Sequence, residues 1–151
     1  MILFLDTSVL LAAAGSETGA SRYVCTQGGP RHGWRLLTSG YCVQETLRNL
    51  PKLGSGAALA WTTVVEPVIE IVADVVSLDQ ALVFPKAKDR PVVISALAAQ
   101  AGVLLTLDRT DFHASLGPQL YGMDIRTPAD FLIEQRLKGS ICIRNPRGLA
   151  I

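Results

Sequence analysis

The sequence predicts an α/β fold in which a mainly parallel central sheet carries helices on both of its faces. Short apolar segments typical of buried strands alternate along the chain with longer segments typical of helices. The chain has 151 residues, of which 49% are hydrophobic, and this is enough for one compact domain with a sizeable core. We therefore expect residues 1–151 to form a single domain.

The first half of the chain predicts three strands and two helices. Each expected strand is a short run rich in aliphatic residues. Ser39 is a possible N-cap of the second helix, and Pro51 lies just past its end. The run Gly28-Gly29-Pro30 indicates a loop after the first helix. The expected strands are 1–5, 34–38 and 69–73, and the expected helices are 7–14 and 41–50.

The second half continues the alternation. Residues 91–101 are apolar almost all round, so this helix should be buried, and Gly102 stands where a left-handed C-cap is preferred. Residues 103–107 (VLLTL) form the clearest buried strand, and Pro128 opens the last helix. The other expected elements are a helix at 77–83 and a strand at 123–126, whereas 139–151 is assigned to no element.

Charge and cysteine content exclude several classes of protein. The net charge of +1, from 14 basic and 13 acidic residues, excludes a strongly basic protein that coats nucleic acid, but it allows an enzyme that acts on one. No apolar run reaches the roughly 18–20 residues of a membrane helix. The three cysteines are too widely spaced to predict a zinc site or a disulfide framework, so we expect a cytoplasmic location.

Four acidic residues stand near the predicted ends of strands or on helices beside them. Asp6 follows the first strand, Asp108 follows the clearest strand, Asp89 precedes the buried helix, and Glu45 lies within the second helix. Each has an ordinary structural explanation by itself. An Asp at a helix start is a good N-cap, and Glu45 could pair with Arg48 three residues later.

The four acids together predict something more specific. In an open parallel sheet, ligands bind beyond the carboxyl ends of the strands. If the first and fourth strands are neighbours, Asp6 and Asp108 meet at one edge. Carboxylates that close repel one another, whereas Mg²⁺ and Mn²⁺ prefer carboxylate oxygens as ligands. Such an ion can activate water and stabilise the charge of a phosphodiester transition state.

Four segments of the chain resemble the PIN-domain family. They are LDTSVLLAA at 5–13, CVQETLRNL at 42–50, KDRPVVISALAAQAGVLLTLDRTDF at 88–112 and GMDIRTPADFL at 122–132. The resemblance implies a three-layer α/β/α sandwich and Mg²⁺- or Mn²⁺-dependent cleavage of RNA. Leu107 departs from the family, which commonly has Gly before the last acid, and 139–151 extends past the usual end of the family.

The resemblance also implies roles for individual residues. Ser8 and Thr106 are expected to support the acids through hydrogen bonds, although they could equally bond nearby backbone. Basic residues that flank the acids in sequence could contact the RNA backbone or could simply be solvated. The expected catalytic residues are Asp6, Glu45, Asp89 and Asp108, the expected metal ligands are Asp6, Asp89, Asp108 and Asp111, and the basic residues are Lys86, Lys88, Arg90 and Arg109.

Several partners and alternatives follow. Many small family members are toxins held by a small antitoxin protein, and a homodimer is expected. The alternative is a catalytically inactive PIN-like protein that binds RNA or has a regulatory role. A haloacid-dehalogenase-type phosphatase would need a second Asp where Ser8 stands, and a receiver domain would need an acidic pair where only Asp6 is found.

Other polar and aromatic residues predict no second site. Tyr41 and the two tryptophans show no stacking pattern for single-stranded nucleic acid, so a core or interface position is expected. His32 and His113 are expected at the surface. A loose acidic region is expected to be a solvated face, and it comprises Glu66, Glu70, Asp74 and Asp79.

Overall fold

The computed structural model describes residues 1–75, 90–108 and 119–141, and these residues form one six-stranded sheet. The strand order is β3-β2-β1-β4-β6-β5, and all neighbours are parallel except β5 and β6. The expected α/β class with a mainly parallel sheet is therefore confirmed. The strands are β1 (Ile2–Leu5), β2 (Arg35–Ser39), β3 (Glu70–Val72), β4 (Val103–Leu105), β5 (Gln119–Leu120) and β6 (Met123–Arg126).

Six α-helices are found in the same ranges. α1 packs against α2, α3 and α4, while α6 packs against α2, and α5 contacts β2 and α3. Two 3₁₀ turns (Leu50–Leu53 and Glu66–Val68) and a π-helical turn (Trp61–Val65) surround α4 and lead to β3. The α-helices are α1 (Thr7–Gly15), α2 (Ala20–His32), α3 (Gly40–Asn49), α4 (Ser55–Ala60), α5 (Arg90–Ala98) and α6 (Pro128–Leu137).

The two most apolar strands lie side by side in the middle of the sheet. Leu3, Phe4 and Leu5 of β1 are fully buried, as are Leu104 and Leu105 of β4. Strands covered on both faces are expected to be continuously apolar, which is what both segments show. Because Leu5 pairs with Leu105, the chain leaves both strands at the same level of the sheet. The residues that follow these two strands are therefore neighbours.

Several expected elements proved wrong or incomplete. Gly28, Gly29 and Pro30 lie within α2, not in a loop, and α2 ends at the left-handed Gly33. A Cβ at Gly28 would lie 3.1 Å from the Trp34 ring, so this glycine allows the end of α2 to pack closely. The left-handed residue after α5 is Gln100, not Gly102.

The remaining differences concern the length and number of the elements and the residues that the structure describes. The fourth strand ends at Leu105, and beyond Thr106 the Leu107 N–H bonds the Ser8 hydroxyl rather than a neighbouring strand. The strand β5 had not been predicted. The helix expected at 77–83 and the segment 142–151 lie outside the described residues. Within the ranges given above, no helix combines the length and the apolar character that crossing a membrane requires.

Candidate active site

The carboxyl ends of β1 and β4 bring Asp6 and Thr106 together. The Asp6 N–H donates to the Leu105 carbonyl at 3.0 Å, and the Thr106 N–H donates to the Arg126 carbonyl of β6 at 3.0 Å. These bonds continue the parallel ladders by one residue. They hold the first residues beyond β1 and β4 at a fixed separation, at the edge where ligands bind in such sheets.

The Asp6 carboxylate is held by two hydroxyl groups. Its Oδ2 atom accepts from Ser8 Oγ at 2.8 Å and from Thr106 Oγ1 at 2.9 Å. Asp6 occupies the N-cap position of α1, but its side chain makes no capping hydrogen bond. The N-cap explanation therefore does not account for this side chain.

Each of the two hydroxyls also accepts a backbone N–H from the loop after β4. Leu107 donates to Ser8 Oγ at 3.0 Å, and Asp108 donates to Thr106 Oγ1 at 3.1 Å. We call Ser8 and Thr106 the hydroxyl clamp, because each receives a bond from the loop and passes one to Asp6. The clamp fixes the main chain of Asp108 relative to the Asp6 carboxylate. Leu107 itself is exposed, so the side chain at this position does not obstruct the turn.

Burial raises the pKa of Asp6, and the hydrogen bonds from Ser8 and Thr106 oppose that rise. Loss of water disfavours the charged carboxylate, whereas hydroxyl donors favour it. Among the described residues, no cationic side chain forms an ion pair with Asp6. The described groups that favour the charged form of this carboxylate are therefore neutral hydrogen-bond donors.

Glu45, which lies on α3, contacts the residue that follows Asp6. Thr7, the residue after Asp6, places Oγ1 3.4 Å from Glu45 Oε2, and Thr7 is largely buried. The expected alternative for Glu45 was an ion pair with Arg48. Both residues are described, and no ion pair joins them. Glu45 is thus tied to the β1–α1 junction rather than to its own helix surface.

The N-terminus of α3 is capped from two strands. Ser39, as predicted, is the N-cap, and its Oγ accepts the Cys42 N–H at 3.3 Å. Asp74, which follows β3, accepts the Tyr41 N–H through Oδ1 at 2.9 Å. A Cβ at Gly40 would lie 2.9 Å from Asp74 Oδ2, so a larger residue at this position would require the Asp74 side chain to move. Asp74 is therefore a helix cap, and it is exposed, as the expected solvated face requires.

Tyr41 is a site residue that the sequence reasoning missed. Burial raises the pKa of its phenol, and the nearby charges of Glu45 and Asp6 raise it further. The phenol is therefore near enough to Glu45 and to Asp6 for both charges to act on it. The sequence did hold a signal for this, because Tyr41 precedes Glu45 by four residues and the two share a helix face.

Some of the other expected site residues are among the described residues, and some lie outside them. Asp108 is partly buried and Arg90 is exposed at the start of α5. Asp89, Asp111, Lys86, Lys88 and Arg109 lie outside the described residues, as do His113 and Cys142. In residues 1–75, 90–108 and 119–141, no three His, Cys, Asp or Glu side chains are grouped closely enough to hold a metal ion.

Two further expectations can be compared with the structure. Cys25 and Cys42 are buried free thiols, as expected. His32 was expected at the surface, but it is partly buried, and its ring lies 4.6 Å from that of Trp34. Its Nε2 lies 3.3 Å from the Tyr23 hydroxyl, and burial lowers the pKa of His32.

Comparison with known proteins adds no relative. No protein-family model, curated protein or solved structure matches the chain. What the chain does must therefore be inferred from the residues at the carboxyl edge.

Proposed function

We propose that the chain is a PIN-like ribonuclease with a three-layer α/β/α organisation, which cleaves RNA phosphodiester bonds with Mg²⁺ or Mn²⁺ held by carboxylates. The observation that carries this proposal is the Asp6 carboxylate, which two neutral hydroxyls hold at the carboxyl edge of the sheet. The resemblance of four segments to the family supports it.

The chemistry of these donors fits a divalent cation. A charged carboxylate that loses water is destabilised unless an opposite charge is nearby. The described residues supply hydroxyls to Asp6 but no cation. Both hydroxyls bond Oδ2, so Oδ1 is the atom that we expect to face a metal. A hard cation needs only one or two direct carboxylates, the rest of its shell being water.

Each acid has a distinct part in the proposed reaction. Asp6 and Asp108, with Asp89 and Asp111 from the chain outside the described residues, would hold the metal. When bound, the metal supplies an activated water and stabilises charge on the phosphoryl oxygens. Glu45 would orient the attacking water and accept its proton. The hydroxyl clamp would keep Asp6 and the Asp108 main chain in register during this step.

The RNA backbone would be held by basic residues beside the acids. Arg90 starts α5, and Lys86, Lys88 and Arg109 adjoin Asp89 and Asp108 in sequence. Phosphate contacts give affinity without sequence information. A net charge of +1 accordingly suits an enzyme that holds its substrate locally rather than one that coats it.

The family resemblance also supports a proposal about the cellular role of the protein. We propose that the protein is a cytoplasmic toxin, that it is a homodimer and that a small antitoxin inhibits it. Expression of the protein alone in its host should arrest growth. Expression of the Asp6→Asn variant in its place should not. Normal growth in the presence of soluble, RNA-cleaving protein would rule out the toxin role while leaving the ribonuclease intact.

The decisive experiment compares RNA cleavage in Mn²⁺, in Mg²⁺ and in EDTA. The parent should cleave in Mn²⁺ or Mg²⁺ and not in EDTA, and Asp6→Asn should not cleave. Asp124→Asn is the matched control, because Asp124 lies within β6 and bonds Gln119 at 3.1 Å rather than the site. RNA that binds to the parent but stays intact in both metals would favour the inactive RNA-binding alternative. Equal cleavage by Asp6→Asn and the parent would show that the proposed site is wrong.

A further inference from the structure

One face of α3 continues from Glu45 into a row of polar and basic side chains. Arg48 and Asn49 lie three and four residues after Glu45, the spacings that place side chains on one face of an α-helix. Lys52 lies in the 3₁₀ turn Leu50–Leu53 that follows, where residues three apart are eclipsed, so it stands over Asn49. We call Arg48, Asn49 and Lys52 the α3 row.

Two hydrogen bonds keep the α3 row in line with Glu45. The Asn49 amide donates through Nδ2 to the Glu45 carbonyl at 2.8 Å, and Lys52 Nζ donates to Asn49 Oδ1 at 2.7 Å. The Lys52 ammonium group is thereby drawn back along the helix towards Glu45. The rise of four α-helical and three 3₁₀ residues separates the Cα atoms of Glu45 and Lys52 by roughly 12 Å along the axis.

The positive charges of the α3 row are not neutralised by acids of the protein. Arg48 and Lys52 are exposed, and neither forms an ion pair in the ranges that the structure describes. Arg35, in contrast, is also exposed but pairs with Glu70 at 2.7 Å. Guanidinium and ammonium groups both bind phosphate oxygens through charge-assisted hydrogen bonds. Two such groups therefore remain available to an anionic ligand beside an acid of the site.

We propose that the α3 row binds the backbone of single-stranded RNA on one side of the phosphate that is cleaved. This inference rests on the proposed ribonuclease function. RNA with one phosphate at Asp6 and Glu45 would continue along α3, where Arg48 and Lys52 meet neighbouring phosphates. Asn49 keeps the Lys52 ammonium in place for this contact. Phosphate contacts carry no base information, so the row should add affinity for RNA of any sequence.

Arg48→Gln/Lys52→Gln tests this inference, and Arg31→Gln/Lys138→Gln is its matched control. The control residues lie in the last turn of α2 and directly after α6, are exposed and form no ion pair with any described acid. Both double variants lower the net charge equally. In Mn²⁺, the α3 variant should raise KM and keep the parent kcat, because it removes contacts made alike in the ground and transition states. The control should change neither.

The salt dependence of binding counts the phosphate contacts. The Kd of a fluorescein-labelled single-stranded oligoribonucleotide is measured by anisotropy in EDTA, over a series of NaCl concentrations. Each lost contact should lower the slope of log Kd against log [NaCl] by about 0.7, so the α3 variant should lose about 1.4. Its difference from the parent Kd should then shrink about sevenfold for a fourfold rise in NaCl. The control pair should keep the parent slope.

The outcomes separate this inference from the proposed function. A parent that cleaves RNA, with the KM and slope of the α3 variant equal to those of the control, would overturn the inference and leave the proposed function standing. A parent that does not cleave but binds RNA, with the slope reduced only in the α3 variant, would overturn the ribonuclease and leave the α3 row as an RNA-binding surface. A parent that neither binds nor cleaves RNA would overturn both.

Discussion

Thr106 Oγ1 lies 2.9 Å from Asp6 Oδ2, although the two residues are 100 positions apart in the chain. The contact exists because β1 and β4 are parallel neighbours that end at the same level. It joins the first strand to the loop that carries Asp108, since the same Thr106 oxygen accepts the Asp108 N–H. One hydroxyl therefore links the two acids that end the central strands.

Removing either hydroxyl of the clamp should lower both stability and activity. Thr106→Val should destabilise the fold by about 1–3 kcal/mol, because the Asp108 N–H loses its acceptor and the Asp6 carboxylate loses one of its two hydroxyl donors. Ser8→Ala should cost less, since Ser8 is more exposed and water can replace its hydroxyl. RNA cleavage should fall roughly tenfold or more in each variant.

Urea denaturation and cleavage rates measure these effects, with Thr46→Val as the control. Thr46 is also fully buried, but its hydroxyl donates at 2.8 Å to the Cys42 carbonyl of its own helix. Cleavage at the parent rate by Thr106→Val would show that the clamp has no functional role.

Asp6→Asn should stabilise the metal-free protein at neutral pH. Burial makes the pKa of Asp6 higher in the folded protein than in the unfolded chain, where Asp titrates near about 3.9. The folded state therefore binds this proton more tightly, and the resulting stability is complete below the unfolded pKa and is lost as the pH rises through the folded pKa. Asn is neutral throughout and avoids that loss.

Melting curves of the parent and of Asp6→Asn, from about pH 4 to neutral pH, check this prediction. The two Tm values should be close at the acidic end, and the Tm of Asp6→Asn should be higher at neutral pH. A variant that melts below the parent at neutral pH would show that the charged carboxylate stabilises the fold after all.

Mn²⁺ should raise the Tm of the parent, and Asp108→Asn should reduce that response. A ligand that binds only the folded state stabilises it by about 2.7 kcal/mol at 100 times its dissociation constant. In a chain of this size, 1 kcal/mol corresponds to about 2–4 °C. An Asp108 that served only as an N-cap would be replaced by Asn almost without effect. A parent curve that does not move with Mn²⁺, in protein verified as metal-free, would argue against any metal site.

Asp74→Ala should destabilise α3 by about 0.5–2 kcal/mol, the usual effect of losing a helix cap. The reason is the Tyr41 N–H, which loses its acceptor at 2.9 Å. Asp74→Asn keeps an acceptor oxygen and should be nearly as stable as the parent. Chemical denaturation of the three proteins gives the comparison, and equal stability of Asp74→Ala and the parent would show that water replaces the cap.

The sequence predicted the framework of the site better than its contacts. Continuous apolar runs identified β1 and β4 as buried strands and placed Asp6 directly after β1, whereas β4 ends at Leu105 and leaves Thr106 and Leu107 before Asp108. The hydroxyl clamp was expected only as a general possibility, because Ser and Thr also bond their local backbone readily. Whether they do so here depends on contacts between residues about 100 positions apart, which local sequence does not specify.

Other features were hidden because packing overrode local preference. Gly28-Gly29-Pro30 has the composition of a turn, yet these residues form the end of α2. Gly28 packs closely on Trp34, and Pro30 lies in the final turn of the helix. In α3, apolar character alone does not identify the buried face. Leu47 is 48% exposed, and the buried residues of α3 are Cys42 and Thr46. Glu45 is next to that buried face, which is why it reaches Thr7.

Because Asp74 caps α3 from the end of β3, hydrogen exchange of the Tyr41 N–H should report the opening of this edge strand. β3 is a three-residue strand at one end of the strand order, with no neighbour on its other side among the described residues. Short edge elements open more readily than a buried core. Each time β3 separates from β2, the Tyr41 N–H loses its acceptor and can exchange with solvent. Its hydrogen-exchange rate should therefore follow that of the β3 amides, so fluctuations of an exposed strand would set how often the first turn of α3 opens.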